Sequence, residues 1–87
     1  MSQRRANSDT VYNVFKKPPA TFGYQSIHEF WEVLNRSGPM SIKQLHQEMI
    51  KQGWRRPRGG KLTLKIMQID VVSMAKPGNG FAERLSD

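Results

Sequence analysis

Two short amphipathic helices separated by one Gly-Pro break constrain this chain more than any other feature. Ile27, Phe30, Trp31 and Leu34 recur at i, i+3, i+4 and i+7, the spacing that lines up apolar side chains on one helical face. Ser26 followed by Glu29 has the form of a capping box, in which each side chain satisfies a backbone N–H left over at a helix start. Asn35-Arg36-Ser37-Gly38-Pro39 then closes the segment, because glycine accepts the terminal turn and proline cannot prolong the helix. The second helix follows at once. Ser41 and Gln44 form its capping box, Met40 is set to staple against Leu45, and Ile42, Leu45, Met49 and Ile50 make the inward face. Lys43, Gln44, Gln47 and Lys51 point outward, and Gly53 stops the helix. With only Gly38-Pro39-Met40 as a link, the helices must turn sharply and bury their stripes together. Each fully buried large apolar side chain contributes roughly 1.5–3 kcal/mol before entropy is deducted.

The rest of the chain adds a small β component. Residues 10–15 (TVYNVF) are β-branched and aromatic, suiting a short strand or an apolar strap across the core. Lys16-Lys17-Pro18-Pro19 ends that run, and Phe22, Gly23 and Tyr24 read as a loop with buried rings. Residues 62–75 admit two readings. As a helix the segment starts at Thr63 and carries Leu64, Met67, Val71 and Met74 on one face, with Ile66 and Ile69 on another. As a strand, Leu62, Leu64 and Ile66 alternate with Thr63 and Lys65, and the alternation resumes at Met67, Ile69 and Val71 after a slip that a β-bulge absorbs. Gly59-Gly60 suits a hairpin, whereas the segment's length and the stop at Lys76-Pro77-Gly78-Asn79-Gly80 tip the balance to a helix. Residues 81–85 form a last short strand alternating Phe81, Glu83 and Leu85, with Phe81 returning to the core.

The fold class expected is therefore mainly α with a small β component, a winged-helix-like helix-turn-helix in a single domain. The alternative is two helices packed on a small antiparallel sheet or hairpin. An 87-residue chain has room for one small core. Residues 1–9 are expected as a flexible basic arm, 10–85 as the domain and 86–87 as a tail.

Charge points to the partner class. Fourteen Lys and Arg against seven Asp and Glu give a formal net charge of +7. Residues 51–65 (KQGWRRPRGGKLTLK) hold Lys51, Arg55, Arg56, Arg58, Lys61 and Lys65 and no acid, the clustering expected of a polyanion contact. Trp54 within it is read first as a lid over the core and second as a stacking partner for a base or an arginine.

The chemistry that is missing narrows the function further. The absence of cysteine removes disulfides, thiolate metal sites and cysteine catalysis. His28 and His46 lack metal-motif spacing, and Gly59-Gly60-Lys61 lacks that of a P-loop, so no enzyme, metal or cofactor is expected. Met40, Met49, Met67 and Met74 are read as core filler, although left exposed they would make an adaptable protein-binding surface. No run of apolar residues is long enough to span a membrane, and MSQRRANSDT has no apolar h-region, so a cytoplasmic or nuclear location is expected.

From Ile27 onward the wording resembles the HARE-type winged-helix modules of bacterial and chromatin proteins. The matching stretches are SGPMS at 37–41, IKQLHQEMIKQGW at 42–54, the Gly60-Lys61 pair and the aromatic of NGF at 79–81. Leu62-Thr63 stands where that family tends to have Thr-Pro. The resemblance implies DNA binding, with the third element near the major groove and a terminal hairpin as the wing. It places Arg55, Arg56, Arg58, Lys61 and Lys65 along phosphates, with Lys43, Gln44 and Gln47 behind them. DNA is expected ahead of RNA, in a small nucleic-acid-binding protein with a regulatory role. One alternative is an inhibitor or adaptor of the phage host-takeover kind that covers an acidic surface of a larger protein through the same arginines. Another is an RNA- or ribosome-associated factor that stacks single strands on Tyr12, Phe22, Tyr24 or Trp54.

Overall fold

The computed structural model describes residues 7–55, 60–76 and 78–85. Within them the elements run β1 (Val11–Val14), α1 (Gln25–Ser37), β2 (Met40–Ser41), α2 (Ile42–Lys51), α3 (Leu64–Met74) and β3 (Ala82–Arg84). The strands form an antiparallel sheet in the order β2-β1-β3. The β-branched run of 10–15 is thus a strand, and it is the central one. Val11 stands opposite Ser41 and Tyr12 opposite Met40 on one side, while Tyr12, Asn13 and Val14 face Arg84, Glu83 and Ala82 on the other.

That pairing corrects the expected wing. The partner of the terminal strand is β1, brought from the other end of the described chain, and no terminal hairpin forms among the described residues. Leu85 N–H donates to the Val11 carbonyl at 2.8 Å, and Phe15 N–H to the Phe81 carbonyl at 3.1 Å. The alternation expected of 81–85 also shifts, because Phe81 and Ala82 are both buried while Glu83 and Leu85 face solvent. Residues 7–9, assigned to the arm, are tied down. Ser8 accepts from Lys43 N–H at 2.9 Å, and Thr10 Oγ1 accepts from Asn7 N–H at 2.9 Å. Residues 1–6 and 86–87, the remainder of the arm and the tail, lie outside the described residues.

The helices agree with their sequence patterns more closely at α2 than at α1. Ile27, Phe30, Trp31 and Leu34 are all buried as expected, and Val33 joins them. The Ser26–Glu29 capping box does not form. The helix starts earlier, with Tyr24 at the N-cap and no side-chain cap, and Ser26 Oγ instead approaches Asp70 Oδ2 on α3 at 3.5 Å. Gln25 therefore extends the helix past the position its cap signal marked.

At α2 the capping box is present in both directions, Gln44 N–H to Ser41 Oγ at 3.1 Å and Ser41 N–H to Gln44 Oε1 at 3.0 Å. Gly53, at φ 74°, reverses the chain. Its N–H reaches the Ile50 carbonyl and that of Trp54 reaches Met49, the paired closure that a left-handed glycine permits after a helix. Ile50, assigned inward, is 52% exposed.

The ambiguous segment is a helix. Thr63 caps α3 through Oγ1, which accepts from Ile66 N–H at 3.2 Å. Met67, Val71 and Met74 point into the core, joined there by Leu62. Leu64, expected on that stripe, is 37% exposed. Met49, Met67 and Met74 serve as core filler, and Met40 packs against the same core.

All three helices and the sheet share one core around Phe30, Leu34, Leu45, Met67 and Tyr12. Burial pushes the Tyr12 phenol above its ordinary value of 10.0, with the Arg84 charge pulling the other way. The loop before α1 keeps one ring of the two expected inside. Phe22 meets Phe81 edge-on at 4.7 Å, whereas Tyr24 is 74% exposed. Gly23 permits this turn, because at φ 57° an added Cβ would stand 2.6 Å from Ile27 Cδ1.

Candidate nucleic-acid interface

The outward arc of α2 carries the residues its periodicity assigned there, Lys43, Gln44, Gln47 and Lys51, all exposed. A depression on each flank of the helix gathers further candidates. Gln44, Gln47 and Lys51 line one, together with Glu48, Met40 and Pro39. The other is walled by His46, Ile50, Gly53, Trp54, Arg55, Lys61 and Leu62. Arg55 and Lys61, six positions apart, thus converge on one groove with an apolar floor.

Two local devices hold that groove in shape. His46 Nε2 is 2.8 Å from the Leu62 carbonyl, which fastens the chain beside Lys61 to the middle of α2. Leu62 itself is buried, so the backbone there is held from both sides. Trp54 packs edge-on against Phe30 with ring centroids 5.7 Å apart, as the lid reading anticipated, while still lining the groove. The sequence shows of His46 only that it lacks metal-motif spacing. Its partner lies sixteen positions away, and no local pattern encodes such a bond.

The remaining candidates divide. Lys65 is exposed on the first turn of α3 and lines neither depression beside α2. Arg56 and Arg58 lie outside the described residues. Of the four aromatics that the single-strand reading offers as alternatives, Tyr12 is buried, Phe22 lies against Phe81 and Trp54 against Phe30. Tyr24 alone of the four is exposed.

The electrostatics of the site are simple. Among the described residues none of Lys43, Lys51, Arg55, Lys61 or Lys65 has a carboxylate within ion-pair distance. An ion pair between Lys17 and Glu32 at 3.6 Å involves exposed side chains beside α1. Glu48 shares a depression with Lys51 but takes its hydrogen bond from Gln52 Nε2 at 3.1 Å. No three His, Asp or Glu side chains converge as metal ligands among the described residues, and none of their helices is long and apolar enough to cross a membrane. No family model matches the chain, and no curated protein or solved structure does either.

Proposed function

We propose that the protein is a small non-enzymatic nucleic-acid-binding domain of winged-helix type, which holds duplex DNA by its phosphates in a regulatory role. The observation that carries this reading is the set Lys43, Lys51, Arg55 and Lys61. They are four exposed cations on α2 and the groove beside it, without a carboxylate partner among the described residues. Unpaired ammonium and guanidinium groups can meet phosphates without first breaking internal ion pairs, and the counterions released from DNA drive the association. Three helices on an antiparallel sheet, with a tight turn between α1 and α2, accord with the winged-helix reading. The joining of β3 to β1 leaves that reading without a hairpin wing, so the cationic surface of α2 has to supply the grip.

Base reading is a minor part of this function. The outward side of α3 presents Leu64 and Ile69 with Lys65 as its single exposed cation, which gives few of the donor and acceptor pairs that distinguish bases in the major groove. Gln44 and Gln47 on α2 have that capacity. The test is fluorescence anisotropy of a labelled duplex across a salt series. If four cations neutralise phosphates, log K falls against log salt with a slope of roughly −3 to −4. A slope near zero overturns the proposal.

A further inference from the structure

α3 is apolar on two sides, and only one of them is used by the fold. Met67, Val71 and Met74 are wholly buried on the inner side. On the outer side Lys65, Ile69 and Val72 follow one another at helical spacing, and Lys76 stands just past the C-cap. Residues three and four apart on a helix are surface neighbours, so Lys65, Ile69 and the part of Val72 left uncovered by the core lie along one side of α3, with the exposed Lys76 following just beyond the helix end. Ile69 is 59% exposed, and Leu64 stands 37% exposed at the helix start. The approach of Ser26 to Asp70 sets the first turn of α1 against the middle of α3, and Tyr24, 74% exposed, stands two residues before Ser26. A helix that is apolar all round is ordinarily enclosed by protein, and this one is open to water along Ile69.

We infer that this side of α3 seats an acidic amphipathic helix of another protein, whose leucine-like side chains cover Ile69 and the uncovered part of Val72 while its carboxylates meet Lys65 and Lys76. Neither lysine has a carboxylate within ion-pair distance among the described residues. Charge selects the occupant. A second copy of this chain would bring Lys65 and Lys76 toward their own equivalents, and a net charge of +7 on each copy opposes that approach. A DNA backbone laid on this side of α3 would strip water from phosphates against Ile69, which offers no hydrogen bond in return. An acidic helix satisfies both kinds of group, with apolar contact at Ile69 and opposite charge at Lys65 and Lys76. The inference is independent of the DNA-binding reading, which rests on α2.

Two synthetic helical peptides test it, identical in leucines at i, i+3, i+4 and i+7 but carrying Glu at the flanking positions in one and Lys in the other. Each is titrated into the full chain and followed by backbone amide chemical shifts. The Glu peptide is expected to move the amides of α3, and the Lys peptide to move none of them. Ile69→Ser should weaken the Glu peptide about tenfold, the order expected when most of one isoleucine's apolar contact is lost. A double charge swap, Lys65→Glu with Lys76→Glu, should transfer the preference to the Lys peptide. That reversal is a result which general stickiness cannot produce. Equal binding of both peptides, shifts confined to α2, or displacement of the Glu peptide from α3 by duplex DNA each overturn the inference. So does self-association in sedimentation equilibrium that Ile69→Ser abolishes. Because Ile69 is exposed, that variant is expected to fold, and circular dichroism verifies this before titration.

Discussion

α2 and α3 are close in length and both begin at a hydroxyl cap, yet the balance of polar and apolar groups on their outer surfaces differs. α2 keeps Ile42, Leu45 and Met49 inside and sets Lys43, Gln44, Gln47 and Lys51 in water. α3 keeps Met67, Val71 and Met74 inside and sets Leu64 and Ile69 in water beside a single cation of its own, Lys65. Ile50 is the exposed large apolar residue of α2. The outer arc of α2 is at home in solvent and can wait for a polyanion at no cost. Apolar surface on α3 stays hydrated only at a free-energy cost that a bound partner would relieve. A helix's inner stripe therefore says where it packs, while its outer arc says what it is for.

The sharpest way to break this comparison is to ask whether the inner faces are equivalent. Leu45→Ala and Met67→Ala, at sites 1% and 0% exposed, should each lower stability by about 2–5 kcal/mol in urea denaturation. A loss at Met67 far below that at Leu45 would mean that α3 is not packed as described. Next comes the outer arc of α2. Combining Lys51→Ala, Arg55→Ala and Lys61→Ala removes three of four proposed phosphate contacts and should flatten the salt slope to about −1. Ile69→Ser should leave that slope unchanged.

The caps give a smaller contrast. Ser41→Ala and Thr63→Ala should each cost about 1 kcal/mol through the lost N-cap bond. Ser26→Ala, at a residue that caps nothing and gives up only its long contact to Asp70, should cost less than either cap loss. A full capping loss at Ser26 would return the start of α1 to the position its sequence suggested. Smallest of all is Ile69→Ser itself, expected within about 0.5 kcal/mol in thermal denaturation because the side chain is largely in water. A large loss there would mean that Ile69 belongs to the core, and the apolar side open to water would cease to exist.

Legibility in the sequence followed the range of the interaction. The Ser41–Gln44 box, the Gly53 stop and the Thr63 start all came through, because each is a bond between residues at most a few positions apart. Strands at 11–14 and 82–84 were also legible from composition and turn residues. What failed had partners far along the chain. Ser26 had the correct spacing for a cap, but α1 starts one residue before it, and Asp70 is forty-four positions away. Met40 and Ser41 read as a turn and a cap, yet they also pair with β1 as a two-residue strand, a contact that only the arrival of Val11 and Tyr12 creates. Ile50 fitted the inward stripe of α2, but the chain leaves through Gly53 and Trp54 covers Phe30, leaving Ile50 on the groove wall.

The sequence alone determined the α1–α2 helix pair around its Gly-Pro break, the capping box of α2 and the excess of positive charge, since caps, glycine turns and charge counts need nothing beyond local chemistry. Residues 62–75, by contrast, stayed open between helix and strand. Tertiary structure decided that β1 is the central strand, that the terminal strand pairs with it instead of closing a wing, and that Arg55 and Lys61 share one groove. It also decided which of α3's two apolar sides is buried. Periodicity marks both sides as apolar, and only the packing of α1, α2 and the sheet against one of them leaves Ile69 in water.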